Sequence, residues 1–287
     1  MHDLTPQPDA PAPATGDAIA AAAAPAPSRS ELPAGLRRYR MTLAYDGTLF
    51  HGWQRQEPAG LEPLRTVQGV VNSALLLLLR QPVNLVGASR TDAGVHAQGQ
   101  VAHFDAATRI AVERLPHAIN SRLPEDIDVI SVAPAADDFQ AIGGAINKQY
   151  RYRIFNSGRR PLCKRTCVWH CWAPLDVQRM KAAAARFVGT HDFAAFTAAG
   201  HDRVTTVRTI FRCDIEVDEP EVHIVLEGDG FLYNMVRIIA GTIVEVGRGR
   251  FAPEQVDVAI ACGDRRQAGP TLPPQGLVLE WIRYAGD

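Results

Sequence analysis

An aspartate set between glycines is the first place in this chain where residue types and spacing suggest chemistry. Asp92 lies in Gly87-Ala88-Ser89-Arg90-Thr91-Asp92-Ala93-Gly94-Val95-His96-Ala97, between two runs with strand character, residues 83–86 and 100–104. Glycine lets the backbone turn tightly or approach another group closely, and loops carried on a rigid sheet are frequent sites of chemistry. A carboxylate presented this way can act as nucleophile or base. The same pattern also suits an ordinary turn whose aspartate caps local amides. A reactive carboxylate needs a partner that keeps it ionised and aimed, a task that fits the permanent charge and planar fork of arginine. Arg90, Arg208 and Arg237 are the candidates. Arg237 stands in the apolar run Phe231-Leu232-Tyr233-Asn234-Met235-Val236-Arg237-Ile238-Ile239, where the alternative is a helical residue reaching solvent along its aliphatic stem.

Two other groupings invite a chemical reading. Tyr150 stands among Lys148, Arg151 and Arg153; aromatic and basic residues interleaved on a strand supply base stacking and phosphate contacts, or else a core tyrosine stripe with solvated arginines. Cys163, Cys167, His170 and Cys171 match no zinc-knuckle or paired-cysteine spacing, and no second ligand pair follows, so structural cysteines are expected and no metal. Phosphate-binding loop, dinucleotide fingerprint, His-Glu-x-x-His and nucleophile elbow are all missing from the sequence. No cofactor is expected.

Composition sets outer bounds. The 287 residues, 46% of them hydrophobic, suffice for one large or two medium domains with a real core. Lys and Arg number 30 against 31 Asp and Glu, which excludes a strongly basic nucleic-acid binder. Residues 1–35 hold four of those acids and one arginine, leaving 29 against 27 in the remainder. Five cysteines, an odd number in a chain too long to need a disulfide framework, fit a reducing, cytoplasmic setting. The aliphatic run at residues 75–79 is far too short to span a bilayer, so no membrane partner is expected.

The elements that must position Asp92 follow from periodicity and punctuation. Residues 1–36, rich in Ala and Pro, are expected to be a disordered tail, without the features of a secretory or transit signal. Strands are expected at 40–45, 83–86, 100–104 and 127–132, and helices at 67–80, capped by Thr66, and at 110–120, interrupted by Pro116. Residues 48–56, with Phe50 and Trp53, read as an amphipathic loop tucked on the core or as a cleft wall. A second unit repeats the order: strands at 149–155, 206–212, 222–227 and 278–284, and helices at 176–187, 232–246 and 253–261. The expected fold is α/β (α+β): two similar halves, 37–139 and 140–287, each a mostly antiparallel sheet with helices on one face. Whether the sheets merge or face each other across a cleft is open from the pattern alone.

Taken together and in order, several motifs resemble the bacterial tRNA pseudouridine synthase A family over residues 38–284. They are Tyr45-Asp46-Gly47-Thr48-x-Phe50-x-Gly52-Trp53-Gln54, Arg90-Thr91-Asp92-Ala93-Gly94-Val95-His96-Ala97 and Gly99-Gln100-Val101-Ala102-His103-Phe104. Asn120, Leu123-Pro124 and Asp126-Ile127 continue the match, followed by Tyr150-Arg151-Tyr152, Gly230-Phe231-Leu232-Tyr233-Asn234-Met235-Val236-Arg237, Ala268-Gly269-Pro270-Thr271 and Gly276-Leu277.

The resemblance implies isomerisation of uridines 38, 39 and 40 in the anticodon arm of tRNA, by a homodimer whose two α/β halves form a continuous platform with a catalytic cleft between them. It implies that Asp92 is the essential catalytic aspartate, Arg237 its partner, Tyr150 the tyrosine stacked on the target base and Leu277 an apolar pocket residue. Arg90 matches the arginine associated with displacing the target nucleotide, and Lys148, Arg208 and His96 are further candidate RNA contacts. Pseudouridine joins uracil to ribose through C5 in place of N1, so the base must be cut loose, turned and rejoined without redox or phosphate energy. Asp92 could attack C6 or C1′, or take the C2′ proton. Where the family carries Phe-His-Ala-Arg this chain has Phe139-Gln140-Ala141-Ile142, which puts the preferred RNA positions in doubt. The competing readings are a non-catalytic RNA-binding or RNA-folding module and a metal-dependent hydrolase.

Overall fold

Alternation of apolar and polar residues makes β1 (Arg37–Tyr45) a half-buried strand, with Tyr39, Met41, Leu43 and Tyr45 turned to the core. The computed structural model describes residues 32–33, 35–57, 60, 62–198 and 205–287; most of the expected tail, residues 1–36, lies outside them. Thr66 caps α1 (Val67–Leu79) by accepting from the Gly69 N–H, and Arg80, in the left-handed conformation, ends it. The next strand is only β2 (Val86–Gly87), not residues 83–86, because the Leu85 carbonyl is taken by the Gln68 side chain. β3 (His96–Ala106) is longer than expected. The helical stretch before residue 120 reduces to a 3₁₀ turn and α2 (Leu115–Asn120), with Pro116 in the first turn, where a missing N–H costs no helical bond. β4 (Ile127–Pro134) completes the first half.

The second half runs β5 (Ala145–Asn156), β6 (Trp169–Cys171), α3 (Val177–Ala185), β7 (Gly189–Asp192), β8 (Val207–Asp218), β9 (Glu221–Gly228), α4 (Met235–Gly247), α5 (Gln255–Cys262) and β10 (Leu277–Tyr284). Periodicity missed β6 and β7 because strands of three and four residues are too short to display it. α2 packs on β4, α3 on β8 and α4 on β5. Every residue of α4 except Arg237 is buried. On β5, Tyr150, Tyr152 and Ile154 are buried, while Arg151 and Arg153 point to the other face and pair with Glu216, Glu280 and Glu221.

The sheets of the two halves merge. One ten-stranded sheet runs in the order β4-β1-β3-β10-β5-β9-β8-β7, antiparallel within each half and parallel only where β3 meets β10 and β6 meets β5. The first half has the order β4-β1-β3-β2, and the second repeats it as β10-β5-β9-β8. The outer edge of β3 is shared: β2 pairs with it at Ala102 and His103, and β10 at His96 and Ala97. The turn that carries Asp92 leaves the sheet at this division, over the seam between the halves. Among the described residues, no helix is long and apolar enough to cross a membrane.

Candidate active site

The Asp92 turn is clamped from below and from the side. The Trp53 N–H donates to the Thr91 carbonyl (3.0 Å) and the Gly94 N–H to the Phe50 carbonyl (3.2 Å). The Tyr45 hydroxyl meets Thr91 Oγ1 at 2.8 Å. Buried Gln100 accepts from the Ser89 N–H and donates to the Ser89 carbonyl at 2.7 Å. Two glycines make the clamp possible. A Cβ on Gly47 would stand 2.0 Å from the Val95 oxygen, and one on Gly52, at φ +91°, 2.7 Å from the Thr91 oxygen. Phe50 and Trp53 are 3% and 1% exposed, so these two aromatics of residues 48–56 brace the turn from inside the core, while Thr48, Leu49, His51, Arg55 and Gln56 are exposed.

Above the turn lies a cleft of about 820 Å³ lined from both halves: Arg90 and Asp92 from the turn, Lys148 and Tyr150 from β5, Arg208 from β8, Phe231, Asn234 and Arg237 from the segment entering α4, and Leu277 opening β10. The Arg237 Nη1 donates to Asp92 Oδ2 at 3.2 Å across the seam, and its Nε donates to the Leu272 carbonyl at 2.7 Å. Arg237 is therefore not a helical residue reaching for solvent. Among the described residues two carboxylates line the cleft, and they differ. Asp229 is exposed and accepts from the Thr209 N–H, whereas Asp92 is half-buried beside the guanidinium.

The chain matches the family model described as tRNA pseudouridine synthase over residues 41–142 and 183–285, which hold the cleft residues Arg90, Asp92, Arg208, Arg237 and Leu277 but not Lys148 and Tyr150. The chain belongs to the tRNA pseudouridine synthase family. Among its relatives, tRNA pseudouridine synthase A of Thermoanaerobacter sp. (strain X514) is 44% identical over 249 residues, 87% of this chain and 100% of that protein. The protein of the same name in Syntrophotalea carbinolica is 47% identical, covering 86% of this chain and 96% of the relative. tRNA pseudouridine synthase A 2 of Clostridium perfringens is 42% identical over its full length.

In this pseudouridine synthase family member, burial raises the pKa of Asp92 more than the Arg237 charge and hydrogen bond lower it. Burial, with Asp92 nearby, pushes the Tyr150 phenol up to about 12 against the lowering effect of its bond to Ser89. The Tyr150 hydroxyl lies 2.8 Å from Ser89 Oγ, and its ring makes an edge-on contact with Phe231 at 5.2 Å and 84°. Lys148 Nζ donates to the Ala88 carbonyl at 2.7 Å. The Arg208 guanidinium donates to the Thr205 and Val207 carbonyls. Arg90 is exposed and makes no ion pair or hydrogen bond to a described residue.

One candidate falls outside the group. His96 is 6% exposed; its Nδ1 accepts from the Gly47 N–H at 3.1 Å and its Nε2 meets the Thr166 carbonyl at 2.9 Å. With both ring nitrogens engaged, His96 ties the Gly47 backbone to the loop at Thr166 and is not among the residues that line the cleft. The cysteine cluster is likewise engaged elsewhere: His170 bonds the Ser157 carbonyl, Cys171 is buried, and among the described residues no group of three metal-ligating side chains converges. Ser89, Phe231 and Asn234 were not singled out from sequence. Their only signal was membership of the Asp92 and Arg237 motifs. Ile142, at the departure from the family pattern, also lines the cleft.

Proposed function

We propose that this tRNA pseudouridine synthase isomerises uridines 38, 39 and 40 in the anticodon stem–loop, with Asp92 as the catalytic group and the target base flipped into the cleft. The observation that carries the proposal is the Asp92–Arg237 bond across the seam, with Tyr150 beside it. Arg237 holds the carboxylate ionised and aimed at the reacting uridine, so that it is ready to attack or to take a proton. Tyr150, its proton held by burial, stacks on the base as a neutral phenol, and Leu277 supplies the apolar pocket wall. Extruding a base costs a few kcal/mol, offset by stacking worth about 1–3 kcal/mol and by Arg90 occupying the vacated place. Lys148 and Arg208 meet the flanking phosphates. The reaction breaks the N1–C1′ bond, forms C5–C1′, releases the C5 proton and leaves one proton on N1, so it needs no metal or redox group.

The halves 37–139 and 140–287 act as one unit under this reading, the first bringing Asp92 and the second completing the pocket. A homodimer is the assembly we assign, with sedimentation of the purified protein as its measure. A cytoplasmic location fits five free cysteines. Asp92→Ala, which removes the reacting group from a cleft and leaves the core intact, is expected to keep tRNA binding and melting behaviour while tritium release from 5-tritiated uridine in anticodon-arm RNA disappears. Release at the native rate would reject the assignment, and binding without release by the native protein would favour the non-catalytic module.

A further inference from the structure

Asn234 breaks two local habits at once. It is one of two non-glycine residues with positive φ among the described residues, at φ 61° and ψ 3°, a conformation that costs an L-residue roughly 1–2 kcal/mol. It also occupies the N-cap of α4, where asparagine ordinarily accepts from a backbone N–H of the first turn, yet its side chain makes no such bond. Instead Oδ1 accepts from Arg237 Nη1 at 2.7 Å, the same nitrogen that reaches Asp92 at 3.2 Å. The guanidinium is thus pinned by two neutral acceptors, Asn234 Oδ1 and the Leu272 carbonyl, and its charge is left to Asp92.

We propose that Asn234 is a positioning residue for Asp92, acting through Arg237, and that it must be uncharged to do so. The proposal rests on the Asp92 reading above. Glycine would satisfy the backbone more easily, so the amide is what the position retains. An aspartate would also tolerate the conformation, but its charge would compete with Asp92 for one guanidinium. Among the described residues, the titratable groups sharing the cleft are Arg90 on the same turn as Asp92, Lys148 and Tyr150 on β5, Arg208 on β8, Asp229 and Tyr233 before α4, and Arg237 itself. Of these only Arg237 hydrogen-bonds Asp92.

The test measures single-turnover tritium release against pH for the native protein, Asn234→Gly and Asn234→Asp, with a melting curve for each. Asn234→Gly keeps the backbone, so its melting temperature should hold. Its rate should fall by up to about a hundredfold through misplacement of the guanidinium, with the half-saturating concentration little changed and the acid limb displaced to higher pH. Asn234→Asp should move that limb further in the same direction. An unmoved limb in Asn234→Gly overturns the proposal, whatever happens to the rate, because a purely structural loss would not alter the titration of Asp92. Asp92→Ala separates the two levels: if it abolishes release while Asn234→Gly has the native profile, only this inference fails, and if it leaves release intact, the reading beneath fails first.

Discussion

Two opposed effects act on the Asp92 carboxyl, and the larger is the loss of water around it. The proposed reaction requires the ionised form, so the rate should fall on acidification through a range above the ordinary aspartate value, and Arg237→Met, without the opposing charge, should move that fall to higher pH. Stability follows with the opposite sense. The folded state holds the Asp92 proton more tightly than the unfolded chain, so the contribution of this group to stability declines as pH rises through the raised range. Asp92→Asn should therefore melt higher than the native protein at pH 7 and equally at low pH while being inactive; a lower melting point at pH 7 would contradict the burial argument. For Arg90, exposed at the cleft, alanine should reduce the salt slope of tRNA binding by about 1. Turnover should suffer more for a uridine in a paired stem than for one in a loop, as shown by comparing the two substrates. At this scale the sequence disclosed the residue types on which the proposed chemistry rests, Asp92, Tyr150 and Arg237. Ser89 stayed hidden because its side chain bonds Tyr150, 61 residues on in the sequence, and Asn234 because its amide turns to Arg237, three residues on, in place of capping the helix.

Elements were legible where they carried period and punctuation. β1 alternates, Thr66 announces α1, and the strand pair 206–212 and 222–227 is the hairpin of β8 and β9, with β8 running on to Asp218 and β9 spanning Glu221–Gly228. The departures have local causes. α4 starts at Met235 and not at residue 232, because Asn234 leaves the helical region and residues 231–233 line the cleft. Close approach between elements is invisible to periodicity, and Gly52 shows its weight. Gly52→Ala must adopt φ +91° with its methyl 2.7 Å from the Thr91 oxygen, so the clamp beneath the catalytic turn should shift. The expected cost is about 1–3 kcal/mol in denaturant melts, with a fall in single-turnover rate that exceeds what the lost folded fraction explains. Native activity per folded molecule would show that the clamp does not govern the turn.

At the scale of the whole molecule, sequence suggested two similar halves but not how they meet, because the joining contact is one short parallel pairing between β3 and β10. That pairing sets Asp92 and Arg237 on the same side of one sheet. Removing residues 277–287 would take out a strand bonded on both sides, to β3 and to β5, together with Leu277. Such a truncated chain should lose cooperative unfolding and all tritium release. Retention of a sharp transition would mean that the halves cohere without their shared strand.

β10, residues 277–284, thus sits in the interior of the sheet. A nascent polypeptide in which this segment has not yet left the ribosome carries its Asp92 carboxylate and Arg237 guanidinium on two pieces that no shared strand joins. Under the proposed function, competence to modify RNA waits for this segment, and a product interrupted before it is silent rather than partly active.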